Sequence, residues 1–377
     1  MDLRERVRSW VRTNRLALDG DPRDIDATAR RIVHDLGAAG LVAYVAPKEF
    51  GGARDQVRAR DLCVIREELA WASALADAMF AIQALASYPI ILAGTQAQKA
   101  RYLPPLASGV AVGAFALTEP DAGSDVSGLQ TRAVKTAHEY RLTGIKHFIS
   151  NAGIAQTYVI FASTNPAEKG RGISAFIVED GTPGFRVAEK TALISPHPIG
   201  VLELDDCRVP VSQRLGAEGK GLKMALRALD TLRVTVGAAA IGFARRALDE
   251  AVSHSQRRRQ FGRSLSEFQA IQFKLADMAT ELEASRLLVY RAACADDSGE
   301  EDFALKASMA KLFATEAAQR IVDQALQIHG GKGLVSGHPV ERLYRDVRAL
   351  RIYEGTSEIQ KLIIAKNLLN RERAHGL

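Results

Sequence analysis

Apolar residues recur at helical spacing from Leu3 to about Ala114, with interruptions at Asp19 to Pro22, Pro47 to Gly52, Tyr88-Pro89 and Pro104-Pro105. Proline lacks a donor and crowds the preceding turn, so the pattern predicts a helical first third broken at those points. From Val112 to about Pro210 the period changes. The runs TYVIFAST, ISAFIVE and GVLELDDCRVP are rich in β-branched and aromatic residues, with turn signals such as Pro183-Gly184 and Asp205-Asp206 between them. They predict a β domain. After Gly221 the helical period returns. One stripe runs through Leu222, Leu226, Leu229, Arg233, Val236, Ala240, Phe243 and Ala247, and a second through Phe268, Ile271, Leu275, Met278, Leu282, Ser285, Val289 and Ala292. A third follows Leu305, Met309, Leu312, Ile321, Ala325 and Ile328, and Ile359, Leu362, Ile363 and Leu369 close the chain. Stripes of this length predict a bundle of antiparallel helices. The expected class is α+β, divided into an N-terminal helical domain 1–114, a middle β domain 115–220 and a C-terminal helical bundle 221–377.

Composition narrows the classes. The chain has 377 residues, 47% hydrophobic and 25% charged, enough for a large core and against disorder or a small stapled scaffold. Fifty Lys and Arg against 44 Asp and Glu leave a net charge of +6, too mild for a nucleic-acid binder. Cys63, Cys207 and Cys294 are scattered and in no CxxC pair, which predicts neither a disulfide framework nor a structural metal site. The first residues, MDLRERVRSWVRTNR, lack an apolar run typical of a secretory signal, and no stretch reaches the roughly 18 uninterrupted apolar residues of a membrane span. The expectation is a soluble, cytoplasmic protein without metal, membrane or nucleic-acid partner.

Several residues could carry chemistry. Arg233 falls on an apolar helix face, where it is either a snorkelling side chain at the stripe's edge or a buried guanidinium in need of an acid. Glu354, in RIYEGTSEIQ, is a candidate partner. Ile352 and Tyr353 beside it would desolvate a general base and raise its pKa, whereas the helix start after it favours charge, and an ordinary first-turn acid is the alternative. ALTEPDAGSD, Ala116 to Asp125, offers hydroxyls and close backbone approach, or simply a capped turn. QIHGGKG, Gln327 to Gly333, reads as a helix end with left-handed glycine, or as close approach to a phosphate. Arg257, Arg258 and Arg259 form a dense basic cluster, either a solvated helix end or a phosphate clamp. GAEGKG lacks phosphate-loop spacing, no HExxH, GxSxG or GxGxxG occurs, and His329 and His338 have no ligand-like companions.

In order along the chain stand PKEFGG, PIILAGTQAQKARYLPPLASG, LTEPDAGSD, GIKHFISNA, RRQFGRSLSEFQAIQFKLADM, QIHGGKGL and ERLYRDVRALRIYEGTSEIQ. Together they resemble the acyl-CoA dehydrogenase family of flavoproteins over almost the whole chain. The resemblance implies an N-terminal helical domain, a β domain and a four-helix bundle. It implies FAD, an acyl-CoA substrate converted to the trans-2-enoyl-CoA, an electron-transfer flavoprotein as acceptor and a homotetramer built as a dimer of dimers. Glu354 matches the family's usual base for the α-proton. Other members carry the base just before the family arginine, which here is Leu232, next to Arg233.

Thr118, Ser124, Phe148 and Ser150 match positions along the isoalloxazine and pyrophosphate, with Phe115, Leu117, Gly123 and Ile149 beside them. Arg258, Gln260, Gln327 and Gly331 match positions that reach the FAD of a neighbouring subunit. Phe261, Gln269, Ile328, Gly330, Thr356 and Glu358 complete the cofactor set that the resemblance implies. Ser124, Asp230, Arg233, Tyr353 and Gly355 match acyl-CoA contacts, and Phe80, Ala81 and Leu85 the acyl end. Two segments depart from the family pattern. Phe148-Ile149-Ser150 stands where many relatives have Trp-Ile-Thr, and ISPHPIGVLEL, Ile194 to Leu204, replaces a commoner R-x-S-x-T loop. The same fold also serves enoyl-CoA reductases and oxidases, and some relatives bind DNA through a basic extension that RERAHGL does not resemble.

Overall fold

A computed structural model describes residues 2–19 and 24–375, so the break read at Asp19 to Pro22 lies, from residue 20 on, outside the described residues. The first helices are α1 (Leu3–Asp19), α2 (Ile25–Ala38), α3 (Ala59–Ala72), α4 (Ala74–Ala93) and α5 (Gln96–Ala107). The strands β1 (Gly113–Ala116), β2 (Arg132–Lys135), β3 (Glu139–Ser150), β4 (Thr157–Ser163), β5 (Ile173–Glu179), β6 (Phe185–Lys190), β7 (Ile199–Pro210) and β8 (Arg214–Leu215) follow. Then come α6 (Gly221–Arg257), a hairpin of β9 (Arg259–Gln260) and β10 (Arg263–Ser264), α7 (Gln269–Asp297), α8 (Phe303–His329), α9 (Pro339–Arg348) and α10 (Ser357–His375). The chain forms two compact units. One holds residues 1–15, 58–77 and 230–377, the other 16–57 and 78–229.

Three prolines read as breaks lie inside helices: Pro89 in α4, and Pro104 and Pro105 in α5. Each forfeits a backbone bond, but Ile90, Leu103 and Leu106 beside them are wholly buried, and packing outweighs the lost donor. Thr95 and Gln98 cap the start of α5 reciprocally. The chain instead turns at Ser73, whose extended backbone separates α3 from α4. Helix α4 is long and apolar enough to cross a membrane by composition, yet 72% of its apolar window is buried inside the fold, as in a core helix.

In the second unit β4 and β5 are buried along almost their whole length, which explains their continuous apolar runs. The sheet order is β6-β7-β3-β2-β4-β5-β8, with β1 parallel to β4. Strand β3 pairs with β7 through two register shifts, the second between Lys146 and Ile149. Such a bulge re-aims a side chain. Here it sets Phe148 at φ 54° and leaves its ring half exposed.

The first unit packs α3, α6, α7, α8 and α9 around an alanine-rich core that includes Val236, Ala240, Phe243, Met278, Val289 and Ala314. The stripe on α7 is as expected from Met278 onward. On α6 no single stripe exists: residues 231–244 are buried all round, whereas Leu226 near its start is exposed. Small residues make that possible. A methyl group on Gly242 would lie 2.4 Å from the Glu67 carbonyl oxygen, so α6 and α3 meet backbone to backbone. In the first half of α8 the buried face runs through Ala307, Ala310, Lys311 and Ala314, and Met309 faces outward. Leu362 and Leu369 on α10 are exposed as well.

Candidate active site

Glu354 sits in the segment between α9 and α10, with φ +53° followed by Gly355 at +91°. A left-handed glutamate costs on the order of 1–2 kcal/mol, so the surroundings must hold it. Its Oε2 is enclosed and has no hydrogen-bond partner. Burial pushes the carboxyl above the ordinary range, against the pull of the Arg66, Lys311 and Arg233 cations. Ile352 and Tyr353 keep part of their surface exposed, and the charged groups that bear on the carboxyl come from α3, α4, α6 and α8.

Arg66 was not foreseen. It is buried on α3, where Nε and Nη2 donate to both Asp77 carboxylate oxygens at 2.8 and 2.7 Å, and Nη1 donates to Thr235 Oγ1 at 2.9 Å. Neighbouring Glu67 and Glu68 fix the rotation of α3 by accepting from Arg4, Arg245 and Arg286. Arg233 is a buried guanidinium, not a snorkelling one. Its ion-pair partner is Asp230 at 3.2 Å, with Ser308 Oγ accepting at 3.3 Å, and its Nε is enclosed without a partner. Glu354 acts on it only through its field. Leu232 is buried on the same helix. Thr356 Oγ1 accepts from the Ile359 N–H at the start of α10, and Glu358 is exposed in that first turn.

In the second unit the segment Leu117 to Glu119 is tied to β3 just before Phe148. The His147 N–H donates to the Thr118 carbonyl at 2.9 Å, and Lys146 Nζ donates to the Leu117 carbonyl at 3.2 Å and to Glu119 Oε1 at 2.7 Å. Glu119 also accepts from the backbone N–H groups of Gln130 and Thr131. Burial pushes Glu119 up, but Lys146 and these donors outweigh it and hold it below its usual range, while burial pulls Lys146 down to about 8. This pair ties β3 to the start of the loop that carries Gly123 and Ser124, both of them exposed. Phe115 packs its ring on Phe161, and Leu117 and Ile149 are buried beneath.

His197, in the departing loop, was missed as a site residue. The pairing of Ser150 with Ile199 brings the loop alongside β3, and Ser150 Oγ lies 3.0 Å from His197 Nε2. His197 Nδ1 lies 3.3 Å from the Ser195 carbonyl, which can only accept, so Nδ1 carries the proton and Nε2 accepts from Ser150. Burial lowers the pKa of His197 and keeps it neutral.

The remaining cofactor positions lie in the first unit. Arg258, Gln260 and Gln269 are exposed around the β9–β10 hairpin, whose tip, Phe261 and Gly262, has positive φ at both residues. Phe261 is 92% exposed. Gln327, Gly330 and Gly331 are exposed at the end of α8 and Ile328 is buried. Gly330 has φ +60° but ψ −142°, outside the left-handed helical region expected for that cap. His254 stacks on His329 at 4.2 Å, which joins the ends of α6 and α8. His338 meets His329 edge-on at 5.1 Å. Among the described residues no group of three or more His, Cys, Asp or Glu side chains is placed to hold a metal.

The donor set fits FAD. One unit holds hydroxyls, a glycine with open space where its Cβ would be and an exposed aromatic ring, and the other an exposed Arg and Gln hairpin.

Family models for the acyl-CoA dehydrogenase N-terminal, middle and C-terminal domains match residues 1–110, 114–207 and 219–369. An acyl-CoA dehydrogenase of Bacillus subtilis is 41% identical over 97% of both chains. An acryloyl-CoA reductase (NADH) of Anaerotignum propionicum is 44% identical, over 89% of this chain and 86% of the relative. A chain in the solved structure of the electron transferring flavoprotein of Acidaminococcus fermentans superposes with a TM-score of 0.90, at 36% identity and 98% coverage of both. The chain belongs to the acyl-CoA dehydrogenase family.

Proposed function

We propose that the protein dehydrogenates an acyl-CoA thioester to the trans-2-enoyl-CoA, with Glu354 as the base that takes the α-proton. As a member of its family it is an oxidoreductase acting on the CH–CH group, and FAD is its cofactor. The observation that carries the reading is the Glu354 carboxyl itself: enclosed, with one oxygen unpartnered, raised in pKa by burial and faced by three cations. A carboxyl raised in this way is a stronger base than an exposed one. Bound FAD supplies the acceptor for the β-hydride. Asp230, Arg233, Tyr353, Gly355 and Ser124 are proposed to contact the thioester. The FAD is proposed to lie on Thr118, Ser124, Phe148 and Ser150, with Arg258, Gln260, Gln327 and Gly331 of a neighbouring subunit completing its site in a cytoplasmic homotetramer. An electron-transfer flavoprotein is the proposed acceptor, supported by the structural likeness.

The likeness to an acryloyl-CoA reductase favours a second reading in which electrons run the other way. One experiment separates them. The purified protein should be yellow, and anaerobic mixing with a panel of saturated acyl-CoAs should bleach it and yield a thioester two hydrogens lighter. Bleaching by none of the panel, with reoxidation of dithionite-reduced protein by an enoyl-CoA, would establish the reductase instead.

A further inference from the structure

Helix α8 carries a lysine in its buried face, Lys311, with no exposed surface. A buried ammonium must find acceptors, and Lys311 Nζ donates to the Gly355 carbonyl oxygen at 2.7 Å. The same oxygen accepts from Gln360 Nε2 at 2.9 Å. Farther along α8, Glu316 Oε1 accepts from Arg351 Nε at 2.9 Å and from Ser357 Oγ at 2.6 Å. The helix therefore grips the chain on both sides of Glu354. Between those grips lie the two consecutive residues with positive φ, a geometry that persists only when its surroundings impose it.

We infer that Lys311 is a positioning residue for the reaction: by fixing the Gly355 carbonyl it sets the direction in which the Glu354 carboxylate points. The inference rests on Glu354 being the base. Lys311 also acts through its charge. Burial pulls its pKa down to about 8, so it is cationic at neutral pH and opposes the burial that raises Glu354. The other charged groups around the pair are Arg66 on α3, Asp77 on α4, Asp230 and Arg233 on α6, Glu316 on α8 and Glu358 on α10. All of them remain in a Lys311 variant.

The test compares Lys311→Met, which keeps length but loses donor and charge, with Lys311→Gln, which keeps a donor, and Lys311→Arg, which keeps both. In FAD-loaded protein, Lys311→Met should slow anaerobic flavin bleaching by butyryl-CoA about 10²-fold with little change in KM, as misplacement of a reacting group does. Its acid limb should move to higher pH, and Lys311→Arg should recover part of the rate. Independently of activity, the infrared carboxyl band that Glu354→Gln removes should titrate about one unit higher in Lys311→Met, for want of a neighbouring cation. If Lys311→Met fails to fold, the same titration shift is required of Lys311→Gln. A folded Lys311 variant with unchanged bleaching and an unmoved carboxyl titration overturns the inference. If no acyl-CoA bleaches the wild type, the dehydrogenase reading fails, and the titration still decides whether Lys311 governs Glu354.

Discussion

Glu354→Gln should bleach about 10²- to 10⁴-fold more slowly with an acyl-CoA that rapidly bleaches the wild type, the range that a general base contributes. Glutamine keeps the shape of the side chain and cannot take a proton. The variant should still bind FAD, because the predicted flavin positions at Thr118, Ser124, Phe148 and Ser150 are untouched. Binding of acyl-CoA should also survive. In the wild type the reaction should slow as pH falls through the raised pKa of Glu354, because only the ionised carboxylate accepts a proton. That limb should be absent in Glu354→Gln. Anaerobic stopped-flow mixing measures both, and near wild-type bleaching would assign the base to another residue.

Lys146→Met should cost about 3–5 kcal/mol of stability, the usual penalty for removing one partner of a buried ion pair. Lys146 has no exposed surface and Glu119 almost none, and their 2.7 Å contact joins β3 to the loop after β1. Without the ammonium, Glu119 is left buried beside backbone donors alone. The same loss should weaken FAD binding, because this contact ties β3 to the start of the loop that carries Gly123 and Ser124. The pH dependence follows from Glu119. Its folded pKa is held below the 4.5 of a free carboxylate, so its contribution is present above that value and lost as pH falls through the lower folded one. Denaturant unfolding with and without added FAD checks the size, and a variant as stable as the wild type would show the pair to be dispensable.

Local patterns singled out Glu354, Arg233 and the Ala116 to Asp125 loop, as an acid before a helix start, a cation on an apolar face, and hydroxyls and glycines after a strand, but they left a first-turn acid, a snorkelling side chain and a capped turn open, and the expected roles came from the family resemblance. Arg66, Lys311, Lys146 and His197 were not singled out. Each acts through a partner far along the chain, and nothing local distinguishes CVIREEL or SMAKLFA from a helix with one snorkelling cation. The stripe on α7 was readable because that helix has a buried and an exposed side. On α6 it was not, because alanine and glycine bury the helix all round and leave no polar face to set the phase. The prolines of α4 and α5 misled for a related reason, since tertiary packing overrode the local preference. The loop from Ile194 was recognisable as a departure, but its consequence depended on the β3–β7 register that carries His197 to Ser150.

The central claim, that an α-proton is removed as the flavin is reduced, is tested most directly by isotopic substitution. Wild-type protein is mixed anaerobically with an acyl-CoA that bleaches it, in one run undeuterated and in another carrying deuterium at both α-positions. Bleaching should be several-fold slower with the deuterated thioester. Equal rates for the two, under conditions where bleaching itself is observed, would contradict it.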